Sequence, residues 1–287
     1  FGPLAQCVGA RGPNLQTTAA CAGTTQAVAL ASDLIRMGRC DRVVVVSGDD
    51  ASGDSLMPWL GNGFNALGAA TTAPDVKSAV HPFDQRRSGM IVGAGACGIV
   101  VERCSEVSPR CRVIDAHFSN SAFHGAAMDR VHIASEIEKF ISRIEKEHGI
   151  DRDHIAKHGI YLSHETGTHA TPSSSCAANE IYGLKHVFGD HLRHMRSVNT
   201  KAITGHPMAV GIEDALAAYA LSTPSCRIPP FPVDTVPDPN LLASPSGTTL
   251  KLFDDEDDKL RHGRRDLRFA LRFAAGFGSQ VALALYA

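Results

Sequence analysis

The chain has 287 residues, 44% apolar and 20% charged, a composition that allows one large or two fused packed domains and argues against disorder. Its 28 basic and 30 acidic residues leave a net charge of −2, which gives no general electrostatic reason to bind nucleic acid or an anionic membrane. No apolar run approaches the ~20 residues of a membrane span, and the first residues, Phe1 to Cys7, lack the basic-then-apolar pattern of a signal peptide.

In chain order, Asn14–Thr18 is a candidate short strand. Ala27, Leu30, Leu34 and Ile35 then repeat at helical spacing, so a helix is expected over Cys21–Met37, with Gly38 as its C-cap. The valine run Val43 to Val46 predicts a buried strand over Arg42–Ser47. A glycine-, alanine- and threonine-rich excursion with short helices follows to about Val80, and Gly95–Glu102 is the next strand. A second unit begins after Arg110: a strand over Arg112–Phe118, a helix over Arg130–His148, a strand over Gly159–Ser163 and a helix over Ser175–Phe188. It continues with a short strand ending at Ser197 and a helix over Pro207–Leu221 with proline in its first turn. Cys226–Leu260 is proline-rich and carries the acidic run Asp254 to Asp258, read as a solvated loop. Leu267–Ala274 and Ser279–Tyr286 close the chain as two strands around a turn at Gly276 and Gly278. The alternation of strands and helices predicts an α/β fold. The second unit reads β-α-β-α-β-α-β-β and the first only β-α-β-β. If the two are pseudo-repeats, residues 1–110 form an incomplete half and residues 111–287 a whole one.

Eight cysteines occur, without a C-x-x-C pair or zinc-finger spacing, so reduced thiols and no structural metal are expected. Three windows can carry chemistry. In Thr17-Thr18-Ala19-Ala20-Cys21-Ala22-Gly23, a thiol sits where a strand runs into a helix among small residues. There a helix N-terminus can lower its pKa and favour a nucleophilic thiolate; an inert buried cysteine fits that window equally well. His164 follows the apolar strand Ile160-Tyr161-Leu162, the strand end where α/β folds bind ligands, although a satisfied structural histidine fits there too. Lys201 and His206 stand five apart in a loop before a helix, where a lysine is ordinarily just solvated.

Taken in order, T-A-A-C-A, H-x-T-G-T and K-x-x-x-G-H resemble the β-ketoacyl synthases of the thiolase superfamily. Pro82-Phe83-Asp84-Gln85-Arg86-Arg87-Ser88-Gly89 and Gly276-Phe277-Gly278-Ser279 match two further segments of that family, and the likeness runs from Gly12 to Ala287. It looks closest to the synthase domains of multidomain fatty-acid or polyketide synthases. The resemblance implies a thiolase-like five-layer αβαβα fold with two similar halves, of which the first lacks its opening part here. It implies decarboxylative Claisen condensation of an acyl-Cys21 thioester with a malonyl thioester. His164 and His206 would donate to the enolate oxygen, Lys201 would orient His164 or its partners, and the backbone N–H groups of Cys21 and Phe277 would form the acyl oxyanion hole. An acidic residue is expected after the second histidine, Asp214 with Glu213 as alternate. Thr166 and Thr168 would contact the phosphopantetheine arm, and Gly276 and Gly278 would border the substrate. No tightly bound cofactor is implied. The expected partners are an acyl carrier protein or carrier domain (or coenzyme A), a second copy paired through Asn14–Thr18, and a chain or segment supplying the missing part. The expected compartment is the cytoplasm, or an organelle lumen within a eukaryotic synthase.

Neighbouring chemistries fit less well. A thiolase needs a second cysteine near its C-terminus, and none follows Cys226. Chalcone-synthase-like enzymes pair Cys with His and Asn, and a chain-length-factor subunit lacks the nucleophile. A thioesterase-type nucleophile elbow is absent. A catalytically silent scaffold subunit of a larger complex remains the alternative. The sequence also departs from the family pattern: Gly93-Ala94-Gly95-Ala96-Cys97 lacks a glutamate, Glu165 stands where a glycine is usual, serines at 173–175 replace a Gly-Asp, and Ala275 replaces an aromatic residue.

Overall fold

In the computed structural model, which describes residues 2–79, 81–104, 111–168, 175–223, 225–231, 234–242, 251–252 and 266–287, the chain opens with a short exposed helix, α1 (Gly2–Val8). A single 3-10 turn, Ala20–Ala22, leads into α2 (Gly23–Arg36), whose buried side includes Val28, Ala29, Ala31 and Ile35. The expected stop is right: Gly38 takes a left-handed φ of +69°, and its N–H bonds to Ile35 O. The valine run becomes β1 (Arg42–Asp50), followed by α3 (Met57–Ala66) and β2 (Ala94–Glu102). Strands β1 and β2 pair antiparallel in one unbroken register, from Arg42 against Glu102 to Asp50 against Ala94.

The second unit holds β3 (Val113–Asn120), α4 (Arg130–His148), α5 (Arg152–His158), β4 (Gly159–Leu162), α6 (Cys176–Phe188), β5 (Arg196–Val198), α7 (Lys201–Thr204) and α8 (Ile212–Ser222). It ends with α9 (Pro239–Leu242), β6 (Lys251–Leu252), β7 (Phe269–Gly276) and β8 (Gln280–Tyr286). Six strands form one sheet in the order β3-β8-β7-β4-β5-β6. β8 runs antiparallel to both β3 and β7, while β4 is parallel to β7 and β5. Its strands β4, β7 and β8 are buried on both faces, as their near-continuous apolar sequences require. Alternation along β4 sends Tyr161 into a core with Ile133, Ile137, Phe140, Ile181, Leu184 and Phe273, and sends Ile160 and Leu162 into a second core with Val28, Val198 and Ala217. Helices α4, α5 and α6 therefore cover one face of the large sheet. Helices α2 and α8 lie between its other face and the β1–β2 pair. This gives four alternating layers, αβαβ, and Val44, Val46 and Val100 stand exposed on the outer face of β1–β2.

Several expectations change. Asn14–Thr18 is not a strand, because among the described residues no ladder partner lies beside it. The last long helix starts at Ile212, not Pro207: Met208 is left-handed at φ 48°, and Thr24 Oγ1 donates to Ala209 O at 2.5 Å, holding residues 207–211 as a loop against α2. Helix α5 was not expected; Asp151 caps it by accepting from His154 N at 2.7 Å. The division between residues 110 and 111, the acidic run at 254–258 and the serines at 173 and 174 touch or lie in segments outside the described residues.

Candidate active site

The turn before α2 presents Cys21 with strain in its backbone. Ala20 is left-handed at φ 46°, a conformation that disfavours a Cβ. Strand β7 presses against that turn from the far end of the sequence: a Cβ built on Gly276 would stand 2.4 Å from Ala19 O and 3.0 Å from Cys21 N. Glycine at 276 is thus what lets the closing strand reach the Cys21 turn, a packing role beyond its place in the cavity wall.

His164 stands just past the end of β4. Its loop is tied by Ser163 Oγ donating to Glu180 (2.7 Å), Asn199 Nδ2 donating to Glu165 O (2.7 Å) and Gly89 N donating to Gly167 O (2.9 Å). His206 is clamped by its own backbone, its N–H to Ile91 O (2.7 Å) and its carbonyl accepting from Gly93 N (2.9 Å). The Pro82–Gly89 segment supports the His164 loop through Gly89 and is itself held in place. Asp84, fully buried, accepts from the backbone N–H and guanidinium of Arg86 and from Val236 N, while Arg87 pairs with Asp238 at 2.9 Å.

These elements bring the three residues together. His206 Nε2 lies 3.1 Å from Cys21 Sγ, and the two imidazoles meet edge to face with centroids 5.7 Å apart. All three line one cavity of about 220 Å³, walled also by Phe64, Met90, Met128, Thr166, Thr168 and Cys176. The Nδ1 atoms of His164 and His206 are buried without a hydrogen-bond partner among the described residues. An unprotonated nitrogen is the cheaper one to strand, so the proton of each neutral ring is assigned to Nε2, which in His206 faces the sulfur.

Behind the histidines lies a buried charge cluster. Lys201 Nζ donates to Glu213 Oε1 at 2.6 Å, Thr200 Oγ1 donates to the same oxygen at 3.0 Å, and Arg272 of β7 stands 3.4 Å from Glu213 Oε2. Burial alone would raise the Glu213 carboxyl, but Lys201 and Arg272 hold it well below the usual carboxylate range. Burial, then the charge of Lys201, depress both imidazoles, His206 to about 3 and His164 well below its ordinary value, so both are neutral donors. The Cys21 thiol departs from the sequence expectation. Burial pushes it up to about 11, and neither Lys201 nor its backbone hydrogen bond reverses this. The turn at Cys21 is a single 3-10 turn rather than the start of the long helix, and the thiol is at rest a thiol.

The carboxyl that meets Lys201 is Glu213, whereas the sequence favours Asp214 with Glu213 as alternate. Asp214 points away, accepting from Thr25 Oγ1 (2.8 Å) and Tyr286 OH (2.7 Å). Glu213 and Asp214 adjoin at the start of α8, so their side chains leave the helix in different directions. Phe277 lines the cavity with its ring 5.9 Å from that of Phe64. Thr166 Oγ1 donates to Thr168 Oγ1 at 3.3 Å, and both threonines line the cavity. Gly278 does not line it; it shapes the β7–β8 turn at φ +79°, with its N–H bonded to Gly125 O at 2.7 Å. Arg272 and the buried carboxyl Glu180 were missed, and Glu165 was noted only as a departure from the family pattern. A buried arginine inside an apolar strand, in Leu271-Arg272-Phe273, was the available signal. Among the described residues no group of His, Cys, Asp and Glu could hold a metal ion, and no helix is long and apolar enough to cross a membrane.

Residues 2–107 match the family described as the β-ketoacyl synthase N-terminal domain. That segment is a β-ketoacyl synthase N-terminal domain. This ketosynthase relative is 26% identical over 293 residues to 3-oxoacyl-[acyl-carrier-protein] synthase 2 of Staphylococcus aureus, covering 99% of the chain and 66% of that protein. It is 30% identical over 243 residues to nodulation protein E of Rhizobium leguminosarum bv. trifolii, covering 83% of the chain and 55% of that protein. Among solved structures it superposes on a type II polyketide ketosynthase in complex with its acyl carrier protein, with a TM-score of 0.77 at 19% identity over 99% of the chain and 65% of that one. It also superposes on an oxazolomycin ketosynthase domain of Streptomyces albus, with a TM-score of 0.78 at 18% identity over 99% of the chain and 48% of that one. The fold is therefore thiolase-like α/β, and the chain spans about two thirds or less of the length of these curated relatives.

Proposed function

We propose that this protein carries out decarboxylative condensation of a cysteine-bound acyl group with a malonyl thioester delivered on a phosphopantetheine arm. The observation that carries the reading is the 3.1 Å approach of His206 Nε2 to Cys21 Sγ beside His164, in one cavity. In the first half-reaction the Cys21 sulfur attacks the acyl thioester carbonyl. The new C–S bond forms as the carrier thiolate leaves, and the thiol proton ends on that leaving sulfur. In the second, the malonyl carboxylate departs as carbon dioxide and leaves an enolate. The Nε2–H groups of His164 and His206 donate to its oxygen. The enolate carbon then attacks the acyl carbonyl, Cys21 leaves as thiolate, and a proton from water restores it. Neutral imidazoles suit this, since a fixed neutral donor stabilises developing charge without surrendering its proton. Lys201 and Glu213 hold the pair, Thr166 and Thr168 flank the donor arm, and the Cys21 and Phe277 backbone N–H groups receive the acyl oxyanion.

The same proposal includes a carrier protein as donor and a second copy of the chain, or a further polypeptide, as partner. The exposed stretch 14–16, unpaired among the described residues, and the exposed valines on the outer face of β1–β2 support it. Carbon dioxide release from malonyl thioester tests the reading. Wild type should release it, and His206→Ala should slow it by about 10²-fold or more. A cerulenin-type electrophile should label Cys21 ahead of the other thiols. Release that survives unchanged in His206→Ala, or labelling spread evenly over the exposed cysteines, favours a silent scaffold instead.

A further inference from the structure

The reading above uses Cys21, the two histidines, Lys201 and Glu213, and leaves a buried cation unexplained. Arg272 sits in the middle of β7, in register with Leu162 of β4 on one side and Ala284 of β8 on the other, and is 3% exposed. An arginine among alanines and phenylalanines of a doubly buried strand is expensive unless its charge and donors are met. Here they are met almost entirely by the machinery of the site. Nη1 donates to the carbonyls of Leu162 (3.2 Å) and Ser163 (3.0 Å), the two residues before His164. Nη2 faces Glu213 Oε2 at 3.4 Å, and Nε stands 3.8 Å from Asp214 Oδ2 with no hydrogen bond of its own.

We propose that Arg272 is a positioning residue of the condensing site, fixing the strand end that carries His164 and sharing Glu213 with Lys201. The inference rests on the condensing reading. β4 is four residues long and stops at Leu162, so its last carbonyls need donors from elsewhere. One guanidinium nitrogen takes two consecutive carbonyls and thereby sets the direction in which the chain leaves the sheet. Glu213 is bracketed, one oxygen on Lys201 and the other on Arg272, so neither cation alone fixes its rotamer. The charged and titratable groups facing the two imidazoles are Cys21 from the turn before α2, Lys201 from α7, Glu213 from α8 and Arg272 from β7, with Asp214 beyond Arg272. Arg272 adds a second positive charge to that surround and disfavours imidazolium in both rings.

The test compares Arg272→Met and Arg272→Lys with wild type in the full chain. Activity is normalised to the fraction of Cys21 that an electrophile titrates, and the two imidazoles are followed by NMR as pH is lowered. Arg272→Met should lower kcat for malonyl-thioester decarboxylation at least about tenfold with KM little changed, since a donor is misplaced rather than substrate binding lost. Its imidazoles should begin to protonate at higher pH than in wild type. Arg272→Lys keeps the charge but cannot hold both carbonyls and the carboxylate, so its imidazole titration should stay near wild type while kcat remains depressed. If Arg272→Met does not fold, Arg272→Met/Asp214→Asn, which removes one buried charge of each sign, takes its place. Unchanged imidazole titration in the methionine variant, or full wild-type turnover per titratable Cys21 in the lysine variant, overturns the proposal. If wild type releases no carbon dioxide, the condensing reading fails, while the imidazole titration still decides whether Arg272 governs the two histidines.

Discussion

At the level of single residues, the sulfur of Cys21 decides how the site can be approached experimentally. Its thiol is raised to about 11 by burial, with Lys201 pulling the other way. A thiolate-specific reagent such as iodoacetamide should therefore react about tenfold faster for each unit of pH between 7 and 10, with no plateau in that range. Lys201→Met should slow the reaction at every pH, because the favourable charge is gone. A rate that levels off near pH 8 in wild type would show that the resting site holds a thiolate. Cys21, His164, His206 and Lys201, which the structure brings close together, were named from three short windows; no window alone singled out its residue, and the family resemblance of the ordered set did. The protonation state of Cys21 was not legible. It follows from burial around the sulfur, where β7, some 250 positions later in the chain, presses against the Cys21 turn. Which of Glu213 and Asp214 meets Lys201 was not legible for a related reason: adjacent residues at a helix start point in different directions, and only the helix phase decides.

Among the elements, those with their own start and stop signals were read closely from sequence. Helix α4 runs over Arg130–His148 as expected, because Asp129 accepts from Val131 N and His132 N at one end and Gly149 is left-handed at the other. Elements that depend on distant partners were misread, as with residues 207–211, whose loop is held by Thr24. The β7–β8 turn separates the two situations. Gly278 needs its left-handed φ of +79°, yet a Cβ there would meet nothing nearer than Gln280 Nε2 at 3.8 Å. Gly276 would meet backbone of the Cys21 turn at 2.4 Å. Gly278→Ala should therefore lower stability by about 1–2 kcal/mol and leave the rate of Cys21 alkylation unchanged. Gly276→Ala should lower stability by at least as much and also alter that rate, because the backbone of Cys21 itself must move. Urea midpoints and alkylation rates, measured side by side, check the contrast. Equal effects of both substitutions on the sulfur would show that β7 does not set the position of Cys21.

Taken whole, the molecule places its charge in an unusual way: cations and carboxyls cluster between sheet and helices around the histidine-bearing loops. Their opposite pKa shifts govern how stability follows pH. The two histidines are depressed, so between about pH 6.5 and 3 the unfolded chain binds protons that the folded chain refuses, and stability falls as pH falls through that window. Glu165 works the other way. Burial, and then the neighbouring Glu180, raise its carboxyl to about 7, so the folded state holds a proton that the unfolded chain gives up above about pH 4.5. Its contribution is whole below the unfolded value and is lost as pH rises toward 7, a loss of roughly 3 kcal/mol by the size of the shift. From about pH 4.5 to 6.5 the two effects oppose each other, which flattens the profile there. Glu165→Gln isolates the carboxyl. The amide oxygen still accepts from Gly167 N, as Glu165 Oε1 does at 2.9 Å, and the amide nitrogen replaces the second oxygen, Oε2, which is buried without a partner among the described residues. The variant should match wild type near pH 4.5 and exceed it by up to about 3 kcal/mol at pH 8. Urea unfolding at the two pH values measures the difference. A variant less stable than wild type at pH 8 would mean that Glu165 is ionised in the fold with a counter-charge sufficient to hold it, and Arg87, the cation that acts on it, would be the first candidate.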